Sequence, residues 1–182
     1  MHRAVFLDRD GVLNRAIIRE GKPYPPAGLE VLEVLPDVEE SLRALKAHGY
    51  LLIVVTNQPD VARGTTTREN VEKIHTKLGE RLVIDEFRTC YHDSGDNCAC
   101  RKPRPGMLFD AASEHGIDLA ESFMVGDRWR DIDAGRAAGC KTIFIDYQYN
   151  EQQPDKPDFI VKSLREASET IIREFNSKGN YQ

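Results

Sequence analysis

Short apolar runs punctuate this chain at regular intervals, and amphipathic stretches fill the spaces between them. Runs at residues 3–8, 50–56, 122–126 and 141–146 have the length and composition of buried strands, and residues 86–91 read as a further strand. Between them the apolar period lengthens. Val38, Leu42 and Leu45 share one face of a helix that begins near Pro36 and Asp37 and stops at Gly49. Val71, Ile74, Leu78 and Leu82 form the stripe of a second helix over residues 68–82, where Thr66 and Glu69 fit a capping box. A third helix follows Pro105 and Gly106 and ends near Gly116. A fourth spans residues 129–138 and stops at Gly139, and residues 163–175 form a closing helix beyond which the last residues fray.

Strands alternating with helices predict an α/β fold, a three-layer sandwich around a doubly wound parallel sheet. Residues 15–30, with Gly21, Pro23, Pro25, Pro26 and Gly28, read as a loop. No interval between elements is long enough for a large cap domain. Residues 1–182 are therefore expected to form one domain, its pocket walled by loops or by a partner subunit. The sequence leaves the oligomeric state open.

Composition narrows the partners. With 25 basic against 30 acidic residues the net charge is -5, which argues against a nucleic-acid-binding surface. No apolar run approaches a membrane span and no signal-peptide pattern opens the chain, so a cytoplasmic protein without a membrane partner is expected. Of the four cysteines, three fall within eleven residues, a pattern that fits metal binding in a reducing compartment better than a disulfide framework.

The polar residues that end the apolar runs carry the candidate chemistry. Asp8 and Asp10 close the first run. A buried strand cannot hold unpaired carboxylates in its middle, so both belong at its exposed end, where ligands bind in parallel sheets. Such an Asp-x-Asp-Gly is either an Asx-type turn or a carboxylate pair sharing a metal and a reacting group. Thr56, Asn57 and Gln58 close the second run. Arg101 and Lys102 follow a Cys/His loop, and Asp127 ends the run at 122–126 with Asp131 four residues on. Alone, Thr56-Asn57 is equally a strand-ending turn, and Lys102 a solvated loop lysine.

In this order, Asp-x-Asp, Thr, Lys and Gly-Asp-x-x-x-Asp, the four motifs resemble the haloacid dehalogenase (HAD) phosphatase superfamily across residues 3–147. The resemblance implies a Mg²⁺-dependent phosphomonoesterase. Asp8 would be the nucleophile forming an aspartyl-phosphate, and Asp10 the acid, then base. Thr56 and Asn57 would bond the phosphoryl oxygens, and Lys102 would stabilise their charge. Mg²⁺, a hard cation, would take oxygen from Asp8, the Asp10 carbonyl and Asp127, with Asp131 behind them orienting Lys102. A side chain at Gly126 would crowd the metal. Asp133 is expected on the surface. Arg128 is either a substrate contact or a solvated helix-start arginine.

Cys90, His92, Cys98 and Cys100 form a C-x-H…C-x-C set whose pairs are separated by five residues. Four soft or borderline ligands on one loop suit a closed, structural Zn²⁺; the alternatives are a disulfide or free thiols. Arg101 and Lys102 follow directly, so the loop would aim both. Cys140 reads as a core thiol, and His2, His48, His75 and His115 as surface residues. The loop marks the HAD subgroup of the heptose-bisphosphate and histidinol-phosphate phosphatases. Val61-Ala62-Arg63-Gly64 and residues 100–107 resemble the heptose branch, whereas the short loop is more like the histidinol branch, and residues 21–26 depart from the heptose pattern. The expected partner is a small phosphorylated sugar, held by Asn57, Gln58, Arg101, Arg63 and Arg128, with Arg101 and Arg63 on a second phosphate. The alternatives are histidinol phosphate, a phosphomutase or dehalogenase reaction, and a zinc-stabilised binding protein on a dead phosphatase fold.

Overall fold

A computed structural model describes residues 1–179; the fraying expected of the last residues lies outside them. Six parallel strands form the central sheet: β1 (Arg3–Leu7), β4 (Tyr50–Asn57), β5 (Glu86–Cys90), β6 (Phe123–Gly126), β7 (Lys141–Ile145) and β8 (Phe159–Val161), in the order β5-β4-β1-β6-β7-β8. Successive side chains of a strand face opposite sides, and two cores follow from that alternation. Val5 and Leu7 of β1 pack with Leu52 and Val54 of β4 beneath α1 (Val38–Ala47), α2 (Arg68–Arg81) and α5 (Leu164–Gly179). Ala4 and Phe6 pack with Ile53 and Val55 beneath α3 (Gly106–His115) and α4 (Trp129–Ala138). Leu52 and Leu108 are both fully buried, and truncating either to alanine costs about 2–5 kcal/mol.

The strand order reverses at β1, which pairs with β4 on one side and β6 on the other. In open parallel sheets this reversal opens a crevice beyond the strand ends. It places the residues after β1, β4 and β6 side by side. Among the described residues no helix is long and apolar enough to cross a membrane.

Five local features depart from these expectations. Residues 15–30 are not all loop: β2 (Ile17–Arg19) and β3 (Lys22–Tyr24) pair as an antiparallel hairpin, with Ile18 opposite Pro23. A proline on a two-stranded ribbon needs no inward donor, so Pro23 concealed the strand without preventing it. Strand β8 was not anticipated. The cap of α2 is Thr67, whose side chain accepts from the Asn70 amide, while Thr66 accepts from the Asn70 side chain. His75 is not on the surface. It is buried, stacked on Phe87 at 4.6 Å, and its Nε2 lies 3.2 Å from Arg9 Nη1. His48 is half-buried against Phe175.

Candidate active site

The carboxylates gather at the reversal point. Asp8 follows β1 and Asp127 follows β6, and Asp131 lies in the first turn of α4. All three are buried, and one oxygen from each can be chosen so that the set lies within 4.8 Å. Lys102 reaches them from the far side of β4. Its Nζ lies 2.9 Å from Asp8 Oδ1 and 2.6 Å from Asp131 Oδ1, and it donates to the Val55 carbonyl at 2.6 Å. The Asn57 side chain clamps the Lys102 backbone, donating to its carbonyl and accepting from its amide. Asp131 also accepts from the Arg128 amide, closing the first turn of α4.

Three buried carboxylates against one lysine leave the cluster short of positive charge. Burial, and then the neighbouring carboxylates, push Asp127 well above the usual carboxylate range. Asp8 is raised to about 6, chiefly by burial, with Lys102 opposing and Asp131 and Asp10 reinforcing. Burial works to lower the Lys102 ammonium, yet Asp131 and Asp8 outweigh it and raise it. Asp127 Oδ1 is buried with no hydrogen-bond partner, while its Oδ2 accepts from the Tyr149 hydroxyl at 2.9 Å. An orphaned anionic oxygen inside an all-carboxylate cluster is the donor set of a small hard dication.

Glycines permit this crowding. A Cβ on Gly11, whose φ is +89°, would stand 1.9 Å from Asp127 Oδ2. A Cβ on Gly126 would stand 2.1 Å from Asp131 Cβ, so the small residue makes room for Asp131, not directly for a metal.

Asp10 has a different setting. Its two oxygens accept from Arg9, Asn14 and Gln58, with distances of 2.9–3.2 Å. Gln58, expected on the substrate, is instead buried, with its amide spent on Asp10 and on Thr56 Oγ1. Arg9 is fully buried beneath Asp10, between it and His75. Asp133 stands apart from the cluster, half-buried.

A cavity of about 440 Å³ opens over Asp8, Asp10, Thr56 and Lys102. The β2–β3 hairpin forms one wall through Lys22, Pro23 and Tyr24, and arginines form much of the remainder. Two of these are held closely by carboxylates. Arg63 holds Asp93 through two bonds of 2.7–2.8 Å and also reaches Asp60. Arg128 pairs with Glu151, part of a loop after β7 that also carries Tyr149. Arg101 donates to the His92 carbonyl. No sequence pattern singled out Tyr149, Glu151 or Arg130.

Beside the cavity, Cys90, His92, Cys98 and Cys100 converge. The sulfurs lie 3.3–3.7 Å apart and His92 Nδ1 lies 3.6 Å from Cys90 Sγ and 3.3 Å from Cys100 Sγ. These approach the roughly 3.7 Å edge of a tetrahedron with Zn–S bonds of about 2.3 Å. Cys140 is separate, buried in the second core, and burial pushes its thiol up to about 12.

Known proteins match this chain in sequence and shape. The HAD-hydrolase-like family model matches residues 99–167. The D-glycero-beta-D-manno-heptose-1,7-bisphosphate 7-phosphatase of Pasteurella multocida is 40% identical over 156 residues, 80% of this chain and 82% of its own. That of Helicobacter pylori strain J99 is 36% identical over 152 residues, 79% and 83% of the two chains. The crystal structure of D,D-heptose 1,7-bisphosphate phosphatase from B. bronchiseptica, complexed with magnesium and phosphate, superposes with a TM-score of 0.80 at 29% identity. The superposition covers 94% of this chain and 99% of that one. Identity at this level across most of both chains, on a sheet whose reversal point gathers Asp8, Lys102 and Asp127, makes this chain a phosphatase of the HAD superfamily, within the heptose-1,7-bisphosphate 7-phosphatase family.

Proposed function

We propose that this enzyme hydrolyses the primary phosphate at C7 of D-glycero-D-manno-heptose 1,7-bisphosphate through an aspartyl-phosphate on Asp8, with residues 1–182 acting as one catalytic domain. The observation that carries the mechanism is the Lys102–Asp8 contact of 2.9 Å at the floor of an open cavity. Asp8 presents a carboxylate oxygen to the phosphorus while Lys102 stabilises the oxygens that gain charge. The Thr56 hydroxyl and the Asn57 backbone amide supply further donors to those oxygens, the Asn57 side chain being engaged on Lys102. Asp10, aimed by Arg9, Asn14 and Gln58, gives a proton to the leaving sugar oxygen. It then takes one from the water that cleaves the acyl phosphate. Asp131 positions Lys102.

Asp8, Asp127 and the Asp10 carbonyl are the residues that would hold Mg²⁺, and the orphaned Asp127 oxygen fits that assignment. Bound there, Mg²⁺ neutralises charge on the reacting phosphoryl group. The Cys90, His92, Cys98, Cys100 set fits a closed Zn²⁺ site, with a positional role. It braces the loop from which Arg101 and Lys102 enter the cavity.

The substrate reading draws on the kinship with heptose bisphosphatases and on the cationic wall. Histidinol phosphate would bring an amine and an imidazole against Arg101, Arg128 and Arg130, an unfavourable meeting of like charges. The test compares kcat/KM for heptose 1,7-bisphosphate and histidinol phosphate with Mg²⁺. A clear preference for the bisphosphate is expected. A preference for histidinol phosphate would remove the substrate assignment, and an Asp8→Asn enzyme that still turned over would remove the mechanism.

A further inference from the structure

The cavity wall carries more positive charge than the protein neutralises. Six cationic side chains face four carboxylates. Lys102 is matched by Asp8 and Asp131, Arg63 by Asp93 and Asp60, and Arg128 by Glu151. Lys22 is exposed on the hairpin, and Arg101 only approaches Asp93, at 4.0 Å. Arg130 is different. It is half-buried in the second position of α4, and its guanidinium lies over the Trp129 ring, 4.6 Å from the centroid. Among the described residues it has no carboxylate within ion-pairing distance. Burial, and then Arg128, lower its affinity for a proton; Glu151 opposes them, Arg101 adds to the lowering and Asp131 works against it. A half-buried guanidinium over an aromatic ring, beside two other arginines and bonded to no carboxylate, is suited to receive an anion.

We propose that Arg130 is the specificity-determining residue of this site, binding together with Arg101 the second phosphate of a sugar bisphosphate while the first reacts at Asp8. The proposal rests on the bisphosphate reading of the cavity and goes beyond it in assigning the residue. Arg63, expected on the second phosphate, and Arg128, also in the wall, both already bond carboxylates, so a phosphate would have to compete with Asp93 or Glu151 for them. Arg130 pays no such exchange. Its planar fork suits a phosphate dianion, and the Trp129 ring, 4.6 Å from the guanidinium carbon, supports one of its faces.

The test is the ratio of kcat/KM for heptose 1,7-bisphosphate to that for heptose 7-phosphate, which lacks only the distal group. In the wild type the ratio should strongly favour the bisphosphate. Arg130→Gln should lower it at least tenfold, mainly through KM. Arg130→Lys should recover part of the loss, since it restores charge without the fork. A wild-type preference that survives in Arg130→Gln would overturn the assignment of Arg130 and leave the bisphosphate reading intact. A wild type without any preference would overturn that reading and this proposal with it. Equal losses in the Gln and Lys variants would support recognition by the planar fork, not by charge alone.

Discussion

Two clusters of side chains able to ligate a metal lie side by side in this protein, and they are built in opposite ways. The carboxylate floor takes Asp8 from β1, Asp127 from β6, Asp131 from α4 and Lys102 from a loop, so residues as much as 123 positions apart meet only when the sheet is complete. The Cys/His cluster takes all four members from residues 90–100, one loop at the end of β5. The first is assembled by the fold, which must hold three buried anions close together. The second assembles its own loop. Function follows that division: charge strained into proximity favours chemistry, and a local knot favours position.

The sharpest break in the comparison comes from single atoms in the floor. Asp8→Asn should abolish turnover, because an amide oxygen cannot form the acyl phosphate, and an unchanged thermal melt would show the sheet intact. Asp10→Asn should lower kcat by about 10²–10⁴-fold, the usual worth of a positioned acid and base. Substantial activity in Asp8→Asn would mean that the floor is not the reacting centre.

One step outward, Tyr149 ties the β7–β8 connection to Asp127 through its hydroxyl. Tyr149→Phe leaves the ring and removes that bond, so Asp127 Oδ2 loses its partner. The Mg²⁺ concentration needed for half-maximal activity should rise about 10–100-fold, the range seen when a partner of a metal ligand is lost. Saturating Mg²⁺ should restore most of kcat. An unaltered Mg²⁺ requirement would make the Tyr149 contact merely structural.

The Cys/His cluster should respond in the other coin. Cys98→Ser or His92→Ala should lower Tm by roughly 6–12 °C, as for a loss of about 3 kcal/mol in a domain of this size. The kcat should fall only several-fold, as Arg101 and Lys102 lose their brace. Purified protein should contain about one zinc per chain, as one four-ligand site requires. A zinc-free, fully active protein would leave the loop without its proposed purpose.

How much of this was legible in the sequence also divides along the same line. Strand ends announce themselves, because an apolar run that stops at Asp has only one place to put the charge. Asp8 and Asp127 are readable for that reason, Thr56 as the polar end of the second run, and Cys90, His92, Cys98 and Cys100 by their spacing. The hairpin at 17–24 was hidden by Pro23 and by its brevity. Tyr149, Glu151 and Arg130 carry no periodic signal; two sit on an irregular connection and the third in a helix start crowded with other charges. Gln58 directly follows Thr56 and Asn57, which line the cavity, whereas the backbone after β4 turns its own amide onto Asp10. The surface expectation for His75 runs against helical geometry. That residue falls between Ile74 and Leu78 and four residues after Val71, on the stripe that buries α2, so helical geometry already placed it inside.

The gentlest prediction separates the two clusters by pH. In the metal-free protein Asp8 is raised from 3.8 to about 6, first by burial, and Asp127 is raised in the same direction. A carboxyl whose folded pKa exceeds its unfolded value favours the fold while it is protonated. That contribution is complete below about pH 4 and is lost as pH climbs through about 6. Above that pH the floor holds its anions against one lysine, and a dication there relieves the repulsion. Adding Mg²⁺ should therefore raise Tm by a few degrees more at pH 7.5 than at pH 5, read by thermal melts at fixed ionic strength. In Asp127→Asn the difference between the two pH values should shrink, since one anion and one ligand are gone together. His75, lowered to about 4 by burial and then by Arg9, works in the opposite sense, destabilising the fold as pH falls from 6.5 toward 4 whether or not Mg²⁺ is present. Subtracting the metal-free melt from the Mg²⁺ melt at each pH cancels that background. An increment that was equal at both pH values, or larger at pH 5, would show that the cation does not answer the charge on Asp8 and Asp127.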